Sequence, residues 1–465
     1  MSVIDFIKEI ETSFNVGSLK VKNMEIWPFL RTSYYFTYRN KYIFNINNKK
    51  GTDIKKIINT FINVFYGIKN LFKKYDYIIF SNIGERRVMN NKYINKLVNN
   101  LISELGEDKV LLIEYPRNRI HYNINLIPYK HIISANLFRI FGHLSLLNKL
   151  IRIDNEYILK EINNIYKLKV DYKIITLRFF IYVTLLNFFY RLYKPKKIFV
   201  TTYYSLFHQA AIYSCNKRGL NSIEFQHGVI NNQHPAYNVF TKLDNVFFPK
   251  YLFVFGDAVK YIFNSNNYFM ELDRVFSVGN MYLDYIKYEY KITNKMLNKF
   301  SKFRRQYNKI IAVSSQKTIE TKLIQFIKEV SLLDENILYI FIPRELNKDY
   351  SNEGFSSNII IIKELNVYQI IKESDFHSTM YSTCALEAPV LGVPNILINI
   401  EGLAKKYYEE ILTNSDTTKF VDTKKEYYNT VLTWNTKSKQ EIMNLHNFFY
   451  EKNHKESLRR ALKFI

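Results

Sequence analysis

Residues 198–228 read IFVTTYYSLFHQAAIYSCNKRGLNSIEFQHG, and this stretch decides the fold class. Two short β-branched and aromatic runs, at 198–201 and 222–225, flank a helical segment. Strands alternating with helices signal a parallel α/β sheet. Working outward, further strand candidates lie at 77–80, 110–113 and 252–255. A second block follows a charged helical stretch at 288–307 and has strand candidates at 310–313, 337–342, 358–362, 375–378 and 395–398. The expected fold class is α/β: two doubly wound, Rossmann-like domains facing a central cleft, with ligands at the carboxyl ends of the strands.

A chain of 465 residues is too long for one ordinary core, which also favours two domains. The first is expected over 1–290, with a basic, mostly helical insertion near 115–195, and the second over 291–438. The stretch 439–465 is helical in pattern and is expected to pack back on the first domain. Apolar residues make up 47% of the chain, which excludes a disordered protein. Lys and Arg exceed Asp and Glu by 66 to 42, a surplus of 24 positive charges that favours polyanionic partners. Heavy use of Ile, Asn, Lys and Tyr is also what an AT-rich genome encodes, so the surplus is discounted. The two cysteines, Cys215 and Cys384, offer no metal-ligand spacing and suit a reducing compartment. The start, MSVIDFIKEIETSF, has no signal-peptide pattern, so a cytoplasmic chain is expected. The apolar stretch 174–193 is interrupted by Arg178, Asn187 and Arg191 and reads as a buried or interfacial helix.

The residues that can carry chemistry gather at predicted strand ends. Gln226-His227-Gly228 closes the 222–225 strand. Glycine allows a sharp turn there, and a neutral imidazole can take a proton from an attacking hydroxyl, so His227 is a candidate general base. Gln233-His234-Pro235-Ala236-Tyr237 follows and could hold an acceptor; for His227 and His234 a structural loop role is the alternative. Asp257, after the next strand, could contact a sugar hydroxyl, orient His227 or cap a helix. In the second block, Ser382-Thr383 leads from a strand into a helix carrying Glu387, a combination suited to a nucleotide phosphate and to ribose hydroxyls. The alternative is a capped core helix. Ser314-Ser315-Gln316-Lys317 and Pro343-Arg344 offer hydroxyls and cations to phosphate, or are plain surface loops.

These elements resemble bacterial capsule and lipopolysaccharide glycosyltransferases of GT-B type, which have a QHG-like strand end and an ST…E…G nucleotide motif. Here they stand as Gln226-His227-Gly228 and as Ser382-Thr383, Glu387 and Gly392. The order of elements is similar over about 198–400. Ser81-Asn82-Ile83-Gly84-Glu85-Arg86-Arg87 looks like the family's first-strand loop, which implies acceptor contacts for Glu85 and Arg86 beside Gln226, Gly228, His234 and Tyr237. The resemblance implies sugar transfer from a nucleotide-activated donor in the second domain to a surface polysaccharide or lipid-linked glycan, with no bound metal and no cofactor. Relatives often carry a His-Pro pair where this chain has Ile342-Pro343, leaving Arg344 or Lys317 to meet the phosphate.

Alternatives on the same two sheets are a polyol-phosphate (CDP-glycerol-like) transferase and a sugar-nucleotide epimerase. A nucleic-acid partner is not expected, because the basic residues are scattered and no recognition motif is present. The basic, aromatic insertion could instead hold the chain against the anionic inner face of a membrane, or simply cover the first sheet.

Overall fold

The computed structural model describes residues 1–44, 54–89, 91–116, 120–144, 151–263, 266–345 and 348–465. Residues 117–119 and 145–150 of the expected insertion lie outside the described residues. The chain divides into two compact units, Met1–Gly279 with Lys455–Ile465, and Asn280–His454. The division falls at Gly279, eleven residues before the expected boundary, because the strand Val275–Ser277 completes the first sheet.

The first unit is built on seven parallel strands: β1 (Tyr77–Asn82), β2 (Val110–Tyr115), β3 (Ile132–Ser134), β4 (Lys197–Val200), β5 (Asn221–Phe225), β6 (Tyr251–Val254) and β7 (Val275–Ser277). Their spatial order is 3-2-1-4-5-6-7. Such a sheet is covered on both faces, so its strands read as apolar runs and not as alternations. In β1 the four residues from Ile78 to Ser81 are all buried.

The insertion is not wholly helical, since it supplies the edge strand β3. Its longest helix, α1 (Tyr172–Tyr193), begins where Asp171 Oδ1 accepts from Ile174 N at 3.1 Å. It ends at Lys194 in the left-handed region, φ 50°. By length and composition α1 could cross a membrane, with a mean hydropathy of 1.4. Yet one face, with Phe179, Tyr182, Leu186 and Phe189, is buried in the core of the first unit, and Phe179 stacks on Phe29 at 4.0 Å. α2 (Leu206–Asn216) follows β4, capped by the Ser205 hydroxyl.

The second unit has six parallel strands: β8 (Lys309–Ser314), β9 (Ile337–Ile342), β10 (Ile359–Ile360), β11 (Phe376–Thr379), β12 (Asn395–Ile398) and β13 (Thr418–Val421). Their order is 10-9-8-11-12-13. Each sheet therefore reverses direction once, between β1 and β4 in the first and between β8 and β11 in the second. A ligand crevice opens outside the carboxyl ends of the strands at such a switch point.

The 439–465 stretch is two helices, Lys439–Leu445 and His454–Phe464, with Asn453 between them at φ 55°. Only the second joins the first unit, where Asn221 Nδ2 donates to the Ile465 carbonyl at 2.9 Å and Arg459 pairs with Glu104 at 2.6 Å.

Candidate functional site

At the carboxyl end of β5 the chain turns through Gln226-His227-Gly228. His227 is half-buried, and its Nε2 lies 3.0 Å from Tyr204 Oη, on the loop after β4. Its Nδ1 is buried without a partner among the described residues. Burial lowers the imidazole pKa from its usual 6.5; Glu85 opposes this and Lys96 reinforces it. Burial also holds the Tyr204 phenol well above its usual range. Both groups are thus neutral at pH 7, and the imidazole can take a proton.

Behind the turn stands a residue that the motif reading passed over. Glu224 is fully buried, and its Oε1 accepts from Tyr203 N at 2.9 Å and from Tyr237 Oη at 2.8 Å. Its Oε2 has no partner among the described residues. Burial outweighs these bonds and raises its pKa to about 8, so the carboxyl is protonated at neutral pH. The loop that carries Tyr237 is fixed from the far N-terminus. Arg31, on the helix Trp27–Tyr38, donates to the carbonyls of Ala236 (3.2 Å) and Asn238 (2.8 Å). It also pairs with Glu11 at 2.7 Å, and Glu11 accepts from Trp27 Nε1 and Phe240 N. All of Arg31 and Glu11 is buried.

Several residues expected to face an acceptor point inward. Arg86 is in a buried ion pair with Glu114 at 2.7 Å and also donates to the Tyr93 carbonyl. Gln226 uses both ends of its amide, accepting from Phe255 N at 2.7 Å and donating to the Gly228 carbonyl at 2.8 Å. Tyr237 is buried on Glu224. Gly228 has no positive φ, and an added Cβ would meet open space, so no backbone constraint demands glycine there. His234 is half-buried, with Nδ1 accepting from Ala236 N at 3.3 Å; burial first, then His227, lowers its pKa to about 3. Asp257 is exposed and bonded to Ser277 Oγ and Lys260 Nζ, not to His227. Burial would raise its pKa, but those two bonds win and lower it. The helix beginning there is capped by Gly256. Glu85 remains at the site, 3.9 Å from Lys96.

In the second unit the loops after β8 and β11 are tied together at the switch point. Gln316 Nε2 donates to the Tyr381 carbonyl at 3.2 Å, Thr379 Oγ1 donates to the Ser314 carbonyl at 2.8 Å, and Thr318 bonds the Tyr381 hydroxyl. Among the described residues, the amides of Tyr381, Ser382 and Thr383 donate to no carbonyl or side chain. Unpaired amides at a strand end are donors that an anion can accept from. The helix that follows, Cys384–Glu387, is only four residues long, so the turn itself and not a helix start supplies these donors.

Ser314 and Ser315 are used internally. Ser314 Oγ lies 2.8 Å from buried His377, and Ser315 donates to Glu320 at 2.9 Å. Lys317 pairs with Glu345 at 2.8 Å on the surface, and Arg344 is exposed without an ion pair among the described residues. Glu387 is buried, with Oε1 accepting from Tyr368 Oη at 2.9 Å, in place of the expected ribose contact. No cluster of three or more His, Cys, Asp or Glu suited to a metal is present among the described residues.

A cavity of about 590 Å³ opens at the other end of the first sheet, lined by Leu220, Lys250 and Arg274 just ahead of β5, β6 and β7. It is a strand length away from His227 and is not part of this arrangement.

No family model and no curated protein matches the chain. Solved structures do. UDP-GlcNAc 2-epimerase from Methanocaldococcus jannaschii superposes with a TM-score of 0.51 at 14% identity, covering 84% of this chain and 99% of that one. The fold is GT-B. The enzyme of the same name from Neisseria meningitidis, bound to UDP-GlcNAc, gives 0.50 at 12% identity over 84% and 99%. The glycotransferase of kitacinnamycin gives 0.50 at 10% over 84% and 98%. The two Rossmann-like sheets of this GT-B chain match the expected class.

Proposed function

We propose that this GT-B chain is a glycosyltransferase that moves a sugar from a nucleotide-activated donor to an acceptor hydroxyl. The observation that carries the reading is the run of three free amides, Tyr381 to Thr383, at the switch point of the second sheet. A sugar nucleotide leaves as a phosphate or diphosphate, and donors fixed on its departing charge lower the barrier. Gln316 and Arg344 stand in the adjoining loops. Lys317 would have to leave Glu345 to join them.

In this reading the acceptor falls to the first unit, and the His227 imidazole takes the acceptor proton as the new C–O bond forms and the bond from anomeric carbon to phosphate oxygen breaks. Tyr204 positions the ring, and Glu224, kept neutral by burial, braces Tyr203 and Tyr237 behind it. Glu387, on the short helix after the amide turn, accepts from Tyr368 Oη. The acceptor in this reading is a surface polysaccharide or a lipid-linked glycan, the donor's nucleotide is the co-substrate, and the reaction runs in the cytoplasm.

The test combines thermal shift with product analysis, using UDP, GDP, CMP and dTDP and their sugar conjugates, because a ligand of the folded state raises its melting temperature. A shift with one nucleotide and acceptor-dependent release of that nucleotide supports transfer. Acceptor-independent conversion of the donor sugar would make the chain an epimerase. Transfer of a polyol phosphate with release of CMP would make it a polyol-phosphate transferase. No shift with any nucleotide would refute the donor site.

A further inference from the structure

The helix Ile54–Val64 and the chain that follows it to Tyr75 cover the edge strand β3. Tyr66 O accepts from Ser134 N at 3.2 Å, and Asn70 Nδ2 donates to the carbonyls of Lys130 (2.9 Å) and Ile132 (3.0 Å). Tyr66 Oη donates to the Tyr122 carbonyl at 3.1 Å. Gly67 turns the chain at φ 71°, where a Cβ would lie 1.8 Å from the Ile132 carbonyl oxygen. Covering an edge in this way blocks strand pairing with other chains. It also fixes which side of the segment faces out.

That outward side is apolar. Ile58, Phe61, Ile62 and Phe65 follow i, i+3, i+4, i+7 spacing, and each is more than half exposed (52, 57, 68 and 67%). A surface helix of a globular protein ordinarily turns such a stripe inward. Phe72, further on, is 89% exposed. Apolar side chains scattered singly over a surface need no explanation, but a contiguous set on a fixed element does. Further along the same segment Lys69, Lys73 and Lys74 are exposed, and the sequence from Ile54 to Tyr75 contains no Asp or Glu.

We propose that this face seats the protein on an anionic lipid bilayer, with the five apolar side chains entering the headgroup boundary and the three lysines on lipid phosphates. Apolar stripe plus basic flank is the chemistry of an interfacial segment. Charge decides the occupant: a second copy of a chain with net charge +24 would bring like charge to the same lysines, whereas an anionic surface complements them. The contact lies upstream of the 115–195 insertion where the sequence pattern had suggested one. It does not rest on the glycosyltransferase reading, and its test involves no turnover.

The experiment is co-sedimentation of the full chain with vesicles of phosphatidylcholine, with and without phosphatidylglycerol, beside sedimentation equilibrium without lipid. Binding is expected only with phosphatidylglycerol. Lys69→Glu/Lys73→Glu/Lys74→Glu should weaken it at least about a hundredfold, since each juxtamembrane lysine contributes about a factor of five or more. Phe61→Ser/Phe65→Ser should weaken it on the order of a hundredfold, given two lost aromatic insertions. Both variants change exposed side chains and should melt at the wild-type temperature. The control Lys291→Glu/Lys295→Glu/Lys302→Glu makes the same change in net charge in the second unit and should bind like wild type. Equal loss in that control, no binding to anionic vesicles, or a dimer that Phe61→Ser/Phe65→Ser dissociates would overturn the proposal.

Discussion

Replacing Glu224 by Gln tests whether a protonated carboxyl is built into the fold behind the candidate base. In the folded chain this carboxyl titrates near 8, against 4.5 when free. A carboxyl whose folded pKa is raised binds more protons in the folded state, so its stabilising share is complete below the unfolded pKa. That share is lost as pH rises through the folded value. Each pK unit is worth about 1.4 kcal/mol, so wild type should lose on the order of 3 kcal/mol from this one group between pH 5 and pH 8. Gln keeps an oxygen for Tyr203 N and Tyr237 Oη and places its NH2 where Oε2 has no partner. The cost of that buried NH2 is the same at every pH. The depressed histidines His208, His227, His234, His377 and His446 are present in both proteins. They cancel when stabilities are subtracted. Urea unfolding of both proteins at half-unit steps from pH 5 to pH 8 gives that difference, which should move steadily in favour of the Gln variant as pH rises. A difference flat to within about 0.5 kcal/mol would mean that Glu224 ionises freely in the fold, and the argument from its burial would fail.

His227→Asn should reduce turnover about 10²- to 10⁴-fold with nucleotide affinity unchanged, and it should abolish an acid limb in kcat/KM that falls below the usual imidazole pKa of 6.5. Thr383 has φ −55°, which proline accepts, so Thr383→Pro removes one amide donor and should weaken nucleotide binding roughly tenfold by calorimetry. Arg31→Met leaves Glu11 buried with only Trp27 Nε1 and Phe240 N as partners and should cost about 3–5 kcal/mol in urea unfolding. Less than about 1 kcal/mol would show that the pair does not hold the 236–240 loop. Gly392→Ala places a Cβ 2.8 Å from the Lys439 carbonyl at φ +76°, so its melting temperature should drop by an amount matching at least about 1–2 kcal/mol.

The strands were legible because parallel strands buried on both faces are written as unbroken apolar runs with polar ends. The runs at 337–342 and 395–398 became β9 and β12 residue for residue. What escaped was short or placed at a sheet margin. β3 is three residues inside a basic, aromatic stretch, and β13 follows loops whose pattern has no clean period. The 358–362 run shrank to Ile359–Ile360, which pair with Tyr339 and Ile340 of β9.

The site divides along a different line, that of side-chain direction. A polar residue at a strand end can face the crevice or turn into the layer behind, and sequence names the residue without its direction. Arg86, Gln226, Tyr237 and Glu387 all turned inward, while His227 and the Tyr381–Thr383 turn are at the strand ends as the motifs implied. Glu224 was passed over because a carboxylate within a strand reads as solvent-facing. Its partners lie 21 residues upstream and 13 downstream, which no spacing rule connects. The brace from Arg31 spans more than 200 residues, from an N-terminal helix to the 236–238 loop. Each unit has a buried carboxyl close in sequence to its strand-end turn that accepts from a tyrosine hydroxyl, Glu224 from Tyr237 and Glu387 from Tyr368. Glu224, protonated at neutral pH, fixes geometry without placing a negative charge behind the candidate base. The functional reading therefore predicts that substitutions behind the turns alter stability and pH dependence, while substitutions at the strand ends alter binding and rate.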